Sequence, residues 1–139
     1  MEWNDRYAIG IEQIDEQHKG LFRMVNRMAK IVQDGDFSRD QRACIEALVY
    51  LKRYTFIHFQ DEEAYQLAIH YPQYEAHKKI HDDFRQLILD YEQRFADGQM
   101  TYDQVMELLN VLTRWLVTHI AHQDRLIAEF QRTQEREGA

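Results

Sequence analysis

Apolar residues recur along most of this chain in alternating steps of three and four, the period of a helix with one buried stripe. The first dozen residues lack that period. They read as an extended arm carrying Trp3, Tyr7, Ile9 and Ile11, with Asp15 as the N-cap of the helix that follows. A first helix is predicted from about Glu16 to Gln33, its inward face made of His18, Leu21, Val25, Met28 and Val32. Asp34-Gly35-Asp36 breaks it, and Ser38 with Gln41 has the form of a capping box opening a second helix that reaches roughly Gln66. Pro72 stands where a first helical turn tolerates it, and a third helix runs from there to a stop at Asp97-Gly98. Thr101 and Gln104 repeat the capping box before a fourth helix, which extends to about Phe130 and leaves a polar tail from Gln131 to Ala139. Four long helices with short connections predict an all-α, up-down-up-down antiparallel four-helix bundle with an extended N-terminal arm. The expected organisation is one domain over residues 1–131, its arm at 1–14, and a C-terminal tail at 132–139.

The seams carry polar residues where a bundle should be apolar. On the second helix Cys44, Leu48, Leu51, Thr55, His58 and Glu62 share one face, which begins apolar and ends in a histidine and a glutamate. The third helix reverses that order, with His77 and His81 first and Phe84, Ile88, Tyr91 and Phe95 after them. The fourth presents Val105, Leu108, Leu112, Trp115 and His119. Antiparallel packing therefore brings histidines from all four helices to one end of the bundle. Glu62 has no lysine or arginine on these seams to pair with, and a buried carboxylate without a partner costs several kcal/mol. A multiply charged cation is the simplest partner. His58-x-x-x-Glu62 and His77-x-x-x-His81 each place two donors one helical turn apart, so that both reach one metal or two adjacent ones. At the end of the fourth helix, regular geometry favours His122, three residues after His119. Asp124 is five residues on, a rotation of roughly 140° in an ideal helix. It could serve only from the flank or beside a local π-type widening.

Composition narrows the class. With 139 residues, 45% of them hydrophobic, the chain suits one continuous core, and one proline and five glycines are too few for a many-turned β protein. A formal charge of −7 without a basic cluster argues against nucleic acid as a partner. No apolar run approaches membrane-spanning length and the first residues do not read as a signal sequence, so a cytoplasmic protein is expected. The single cysteine, Cys44, is read as a small core residue.

These residues closely resemble the hemerythrin family in its single-domain bacterial form. The likeness runs from Trp3 to about Phe130. It is carried by Ile9-Gly10-Ile11, Ile14-Asp15-x-Gln17-His18-x-x-Leu21, His58-Phe59-x-x-Glu62-Glu63, Tyr71-Pro72 followed by His77-x-x-x-His81-x-x-Phe84, and Trp115-Leu116-x-x-His119-Ile120-x-x-x-Asp124. The resemblance implies two iron ions with an oxo or hydroxo bridge. His77, His81 and His119 would hold one iron, His18 and His58 the other, and Glu62 and Asp124 would span both. Asp124 then displaces His122, and His70 becomes a surface residue. Phe59, Trp115, Leu116 and Ile120 resemble the wall of the family's oxygen pocket, although simple core packing would also account for each. The implied activity is reversible dioxygen binding by a monomer for carriage, storage, delivery or sensing, with the redox partner unspecified. Neutral imidazoles dominate the donor set and no Glu-x-x-His pair occurs, unlike the carboxylate-rich di-iron proteins that support oxidising chemistry. Two anionic side chains leave the centre with the same net charge before and after dioxygen adds, a physical basis for reversibility.

One departure stands beside the site. Where the family usually carries a Leu-Met type pair after Glu62-Glu63, this chain has Ala64-Tyr65-Gln66, and Gln66 lies one turn beyond Glu62 on the same face. A polar group there predicts altered autoxidation or oxygen affinity. Competing readings are a di-iron enzyme acting on peroxide or nitric oxide, a sensor module, and a structural zinc site, since imidazole also suits zinc.

Overall fold

The computed structural model describes residues 3–34, 37–96 and 101–137, with backbone alone for residue 34 and residues 37–41. The expected breaks at Gly35-Asp36 and Asp97-Gly98, and the side chains of the Ser38–Gln41 capping box, lie outside what is described. Among the described residues the chain forms a short 3-10 turn, Asp5–Tyr7, and then helices α1 (Glu12–Asp34), α2 (Phe37–Ala68), α3 (Tyr74–Arg94) and α4 (Tyr102–Thr118). A π-helical segment, His119–Asp124, follows α4 without a break and leads into α5, Arg125–Glu137. These last three pieces make one rod, so the architecture is the expected four-helix bundle. α1 packs against α2 and α4, and α2 packs against α3. The chain therefore does not become a loose tail after Phe130; it stays helical, with an exposed surface, through Glu137.

The N-terminal boundary also differs from the sequence reading. α1 begins at Glu12, and Asp15 lies inside its first turn. The Asp15 carboxylate accepts the backbone N–H of Ile9 at 2.8 Å and of Gly10 at 3.1 Å, so it fastens the arm to the helix and does not cap it. Gly10 supplies the left-handed turn between them, at φ 86°, which a side chain would strain. The arm is only partly extended. Trp3 and Tyr7 stack around Phe22 with ring centroids 5.7 and 5.3 Å away.

The α4 start agrees with the sequence: Thr101 accepts from the Gln104 N–H at 3.1 Å and the Gln104 side chain accepts from the Thr101 N–H at 3.0 Å. The α2 end does not follow the usual rule. Tyr71 N–H donates to the Gln66 carbonyl at 2.9 Å and His70 N–H to that of Leu67 at 3.2 Å, the pairing of a Schellman motif. The left-handed position that glycine normally takes is held by His70, at φ 56°. This exposed residue thus has a backbone role. His70→Gly is expected to stabilise the protein by about 1 kcal/mol, read as a higher midpoint in urea with an unchanged slope.

The core follows the predicted seams. Leu21, Val25, Met28, Val32, Cys44, Leu48, Leu51, Phe84, Ile88, Tyr91, Phe95, Val105, Leu108 and Leu112 form one buried cluster. At its open end the filling changes from aliphatic side chains to imidazoles and carboxylates.

Candidate metal centre

Each buried donor has a reason to point inward. His18 lies in the second turn of α1, His58 and Glu62 near the end of α2, His77 and His81 at the start of α3, and His119 and Asp124 at the two ends of the π segment. All seven are buried, with none more than 3% exposed. The π segment distinguishes the two candidates on the fourth helix by position. Its i to i+5 hydrogen bonding widens the turn, so residues five apart approach a common face. Asp124 is buried beside His119, while His122, favoured by regular spacing, is exposed.

The two carboxylates divide the donors. Glu62 Oε1 lies 2.7 Å from His77 Nε2, 3.2 Å from His81 Nε2 and 3.7 Å from His119 Nε2. Its other oxygen, Oε2, lies 3.3 Å from His58 Nε2 and 3.9 Å from His18 Nε2. Asp124 is split in the same way. Oδ1 is 2.9 Å from His119 Nε2 and 3.1 Å from His77 Nε2, and Oδ2 is 2.7 Å from His18 Nε2. Two groups result, Glu62, His77, His81, His119 and Asp124 in one and His18, His58, Glu62 and Asp124 in the other. Within each group the donor atoms all lie within 4.8 Å of one another.

Apart from His81 Nε2 and His119 Nε2, which pair with each other at 3.2 Å, these atoms are close without being hydrogen-bonded. Both oxygens of Glu62 and of Asp124, and Nε2 of His18, His58 and His77, are buried and have no hydrogen-bond partner of acceptable geometry among the described residues. Buried polar atoms are normally satisfied. Donors that converge on a shared point instead of on each other fit a cation at that point, and imidazole with carboxylate suits a divalent transition metal. Their electrostatics carry the same strain. Burial alone would raise the Glu62 carboxyl, yet His119, His58, His77 and His81 together hold it well below its ordinary value. Asp124 is likewise lowered: burial and Glu62 push it up, and His119 and His18 outweigh them. Burial disfavours the protonated forms of His119 and His77, but Asp124 and Glu62 reverse this, taking His119 up to about 10 and raising His77. Burial prevails only at His18, which is lowered despite Asp124. Without metal, protons on the imidazoles do part of a cation's work.

The Hemerythrin HHE cation binding domain matches residues 9–130, nearly the whole described chain. The protein belongs to the hemerythrin family. A bacteriohemerythrin of Pseudomonas aeruginosa is 35% identical over 122 residues, 88% of this chain and 75% of the relative. A bacteriohemerythrin of Clostridium acetobutylicum is 29% identical over 126 residues, covering 88% of this chain and 95% of its own. A crystal structure of a hemerythrin mutant superposes with a TM-score of 0.80 at 26% identity, covering 93% of this chain and 95% of that one.

The candidate donors are held from behind by residues to which the sequence alone assigns no role. His58 Nδ1 lies 2.7 Å from Gln17 Oε1, and Gln17 Nε2 donates to Asp61 at 2.8 Å. An amide oxygen can only accept, so His58 donates through Nδ1, which fixes the ring with Nε2 toward the centre. His81 Nδ1 donates in the same way to Glu63 Oε2 at 2.8 Å, and Arg85 also donates to that oxygen at 2.8 Å. Both helpers, Gln17 and Glu63, stand in the motifs that carry the family likeness. Gln17→Leu is expected to weaken metal retention about 10- to 100-fold in chelator competition, with little change in helix content.

Rings clamp the imidazoles from the core side. Phe59 stacks on His81 at 3.9 Å, and Trp115 stacks on His119 at 4.3 Å and on Phe84 at 3.8 Å. Phe59, Leu116 and Ile120 are buried and Trp115 is half-buried. Gln66 is fully buried, but on α2 it lies beyond Glu62 whereas Phe59 lies before it, so the two sit on opposite sides of the carboxylate.

Proposed function

We propose that this protein binds dioxygen reversibly at a pair of non-haem iron ions. His77, His81 and His119 hold one ion, His18 and His58 the other, and Glu62 and Asp124 span the two. The observation that carries this reading is the division of each carboxylate, one oxygen toward each histidine group. Counting the shared carboxylates, one group offers five donors and the other four, which leaves the His18 and His58 side the less filled. When bound, an oxo- or hydroxo-bridged iron pair supplies the electrons that dioxygen takes up and gives back.

The protein's part is orientation and dryness. Phe59, Trp115, Leu116 and Ile120 wall the centre from the core side with apolar surface, which keeps water from displacing a small bound gas. The surface hollow lined by Met24, Arg27, Glu46, Ala47 and Tyr50 includes none of the donors. Burial of every donor suits a very small ligand over a larger substrate, and the family likeness favours carriage, storage or delivery of dioxygen over peroxide or nitric oxide turnover. No described helix is long and apolar enough to cross a membrane. A cytoplasmic monomer belongs to the same reading, with residues 1–131 as the functional domain, since the helix beyond Phe130 contributes no donor.

The test is direct. Iron-loaded, reduced protein kept under argon is exposed to air and then purged. A visible charge-transfer band that appears with air and disappears on purging, at a stoichiometry of one dioxygen for two irons, is the expected result. A colourless protein that retains zinc from an iron-replete preparation refutes it.

A further inference from the structure

Among the described residues Gln66 is the one fully buried glutamine, and neither its amide nitrogen nor its amide oxygen has a hydrogen-bond partner there. A primary amide in that position is costly to keep, because its water has been removed and nothing in the chain replaces it. The backbone around it is fixed. The Gln66 carbonyl accepts the Tyr71 N–H that closes α2, so the side chain issues from a rigid turn. Helical side chains lean toward the helix N-terminus, which directs the Gln66 amide back over the turn that carries Glu62. One turn back on α2, Glu62 has buried carboxylate oxygens that are likewise without a hydrogen-bond partner among the described residues, as are those of Asp124 on the facing rod.

We infer that Gln66 is a positioning residue of the metal centre, whose amide donates to an oxygen that exists in place only when the centre is loaded. That oxygen is either a carboxylate oxygen of Glu62 or Asp124 turned by metal binding, or a solvent molecule held between them and the amide. The arrangement makes the metal-free chain carry an unsatisfied group that loading satisfies. Gln66 thus couples metal retention to stability from the side of the centre away from Phe59 and Trp115. The inference rests on the proposed centre being a metal site, and is indifferent to whether the metal is iron or the gas is dioxygen.

Gln66→Met removes the amide and keeps the length of the side chain. Melting temperatures of the metal-free and zinc-loaded forms, together with zinc retention against a chelator, read its effect. The metal-free variant is expected to melt about 3 °C higher than the parent, because an orphaned amide is gone. The zinc-loaded variant is expected to melt lower than the loaded parent and to release zinc about 10-fold more readily. Shifts of the same sign in both forms, or no shift in either, overturn the inference, since packing alone would move both together. A crystal structure of the zinc-loaded parent separates the two sources of the acceptor, water or carboxylate. An amide with neither oxygen beside it in that structure also overturns the inference. Loss of the dioxygen-dependent band in the parent would end the dioxygen reading and leave these zinc measurements standing.

Discussion

Glu62→Gln is expected to empty both metal positions at once. One oxygen of this carboxylate faces His77, His81 and His119, and the other faces His58 and His18, so a single substitution removes an anionic donor from each group. The amide keeps the volume and the helix propensity, and the fold should survive. Its oxygen is neutral, however, and its NH2 presents protons where a cation should sit. Substitutions behind the donors already cost 10- to 100-fold in affinity, so loss of a shared anionic donor is expected to exceed about 100-fold for each metal. Metal analysis of purified, iron-replete protein should fall from two ions per chain to fewer than one, with no dioxygen-dependent colour. His81→Ala provides the contrast. It faces one group only, and the expected content is one ion per chain. Two ions retained in Glu62→Gln would show that the carboxylate does not span the centre.

The second large effect is on pH. In the metal-free protein burial opposes protonation of both imidazoles, but Asp124 and Glu62 take His119 to about 10 and raise His77, so His119 holds its second proton at neutral pH and His77 is biased toward the same state. A metal ion needs their lone pairs and expels those protons. Apparent affinity is therefore expected to rise steeply between about pH 6 and pH 8, with close to a tenfold gain per pH unit for each proton released. Stability of the empty protein runs the other way. A histidine whose folded value is raised contributes stability that is complete below its unfolded value, near 6.5, and is lost as pH climbs through the folded value. His18, lowered by burial, opposes this, because the fold resists its protonation. Glu62 and Asp124 are lowered, and their contribution is present above about pH 4 to 5 and lost as pH falls further. The metal-free protein should thus melt highest in mildly acid buffer, and the gap between empty and loaded melting temperatures should widen from pH 6 to pH 9. A gap independent of pH would mean that His119 is neutral in the empty protein.

Much of this arrangement is legible in the chain because it rests on period. Seams such as Leu51, Thr55, His58 and Glu62, or His77, His81, Phe84 and Ile88, place donors and core on one face whatever the neighbouring helices do. Antiparallel order then brings the polar ends together. Features that depend on a departure from regular helix were harder to read. Asp124 needs a widened turn, and nothing in His119-Ile120-Ala121-His122-Gln123-Asp124 announces one. Family likeness, and not helical spacing, pointed to it. Asp15 looks like an N-cap, but its carboxylate serves two N–H groups upstream, and the helix starts earlier. Polar residues after Phe130 suggest a tail, yet exposed residues such as Arg132, Gln134 and Glu135 form helix readily once a packed turn precedes them. Gln17, Glu63 and Arg85 were invisible as helpers because their partners lie on other turns or other helices, at separations that no local pattern encodes.

The two imidazoles held from behind do not lean on equivalent groups. His81 gives its proton to a carboxylate, Glu63, while His58 gives its proton to a neutral amide, Gln17. A carboxylate partner makes an imidazole the stronger electron donor. A metal pair held between the two groups would therefore meet the more basic imidazole on the Glu63 side and the less basic one on the Gln17 side.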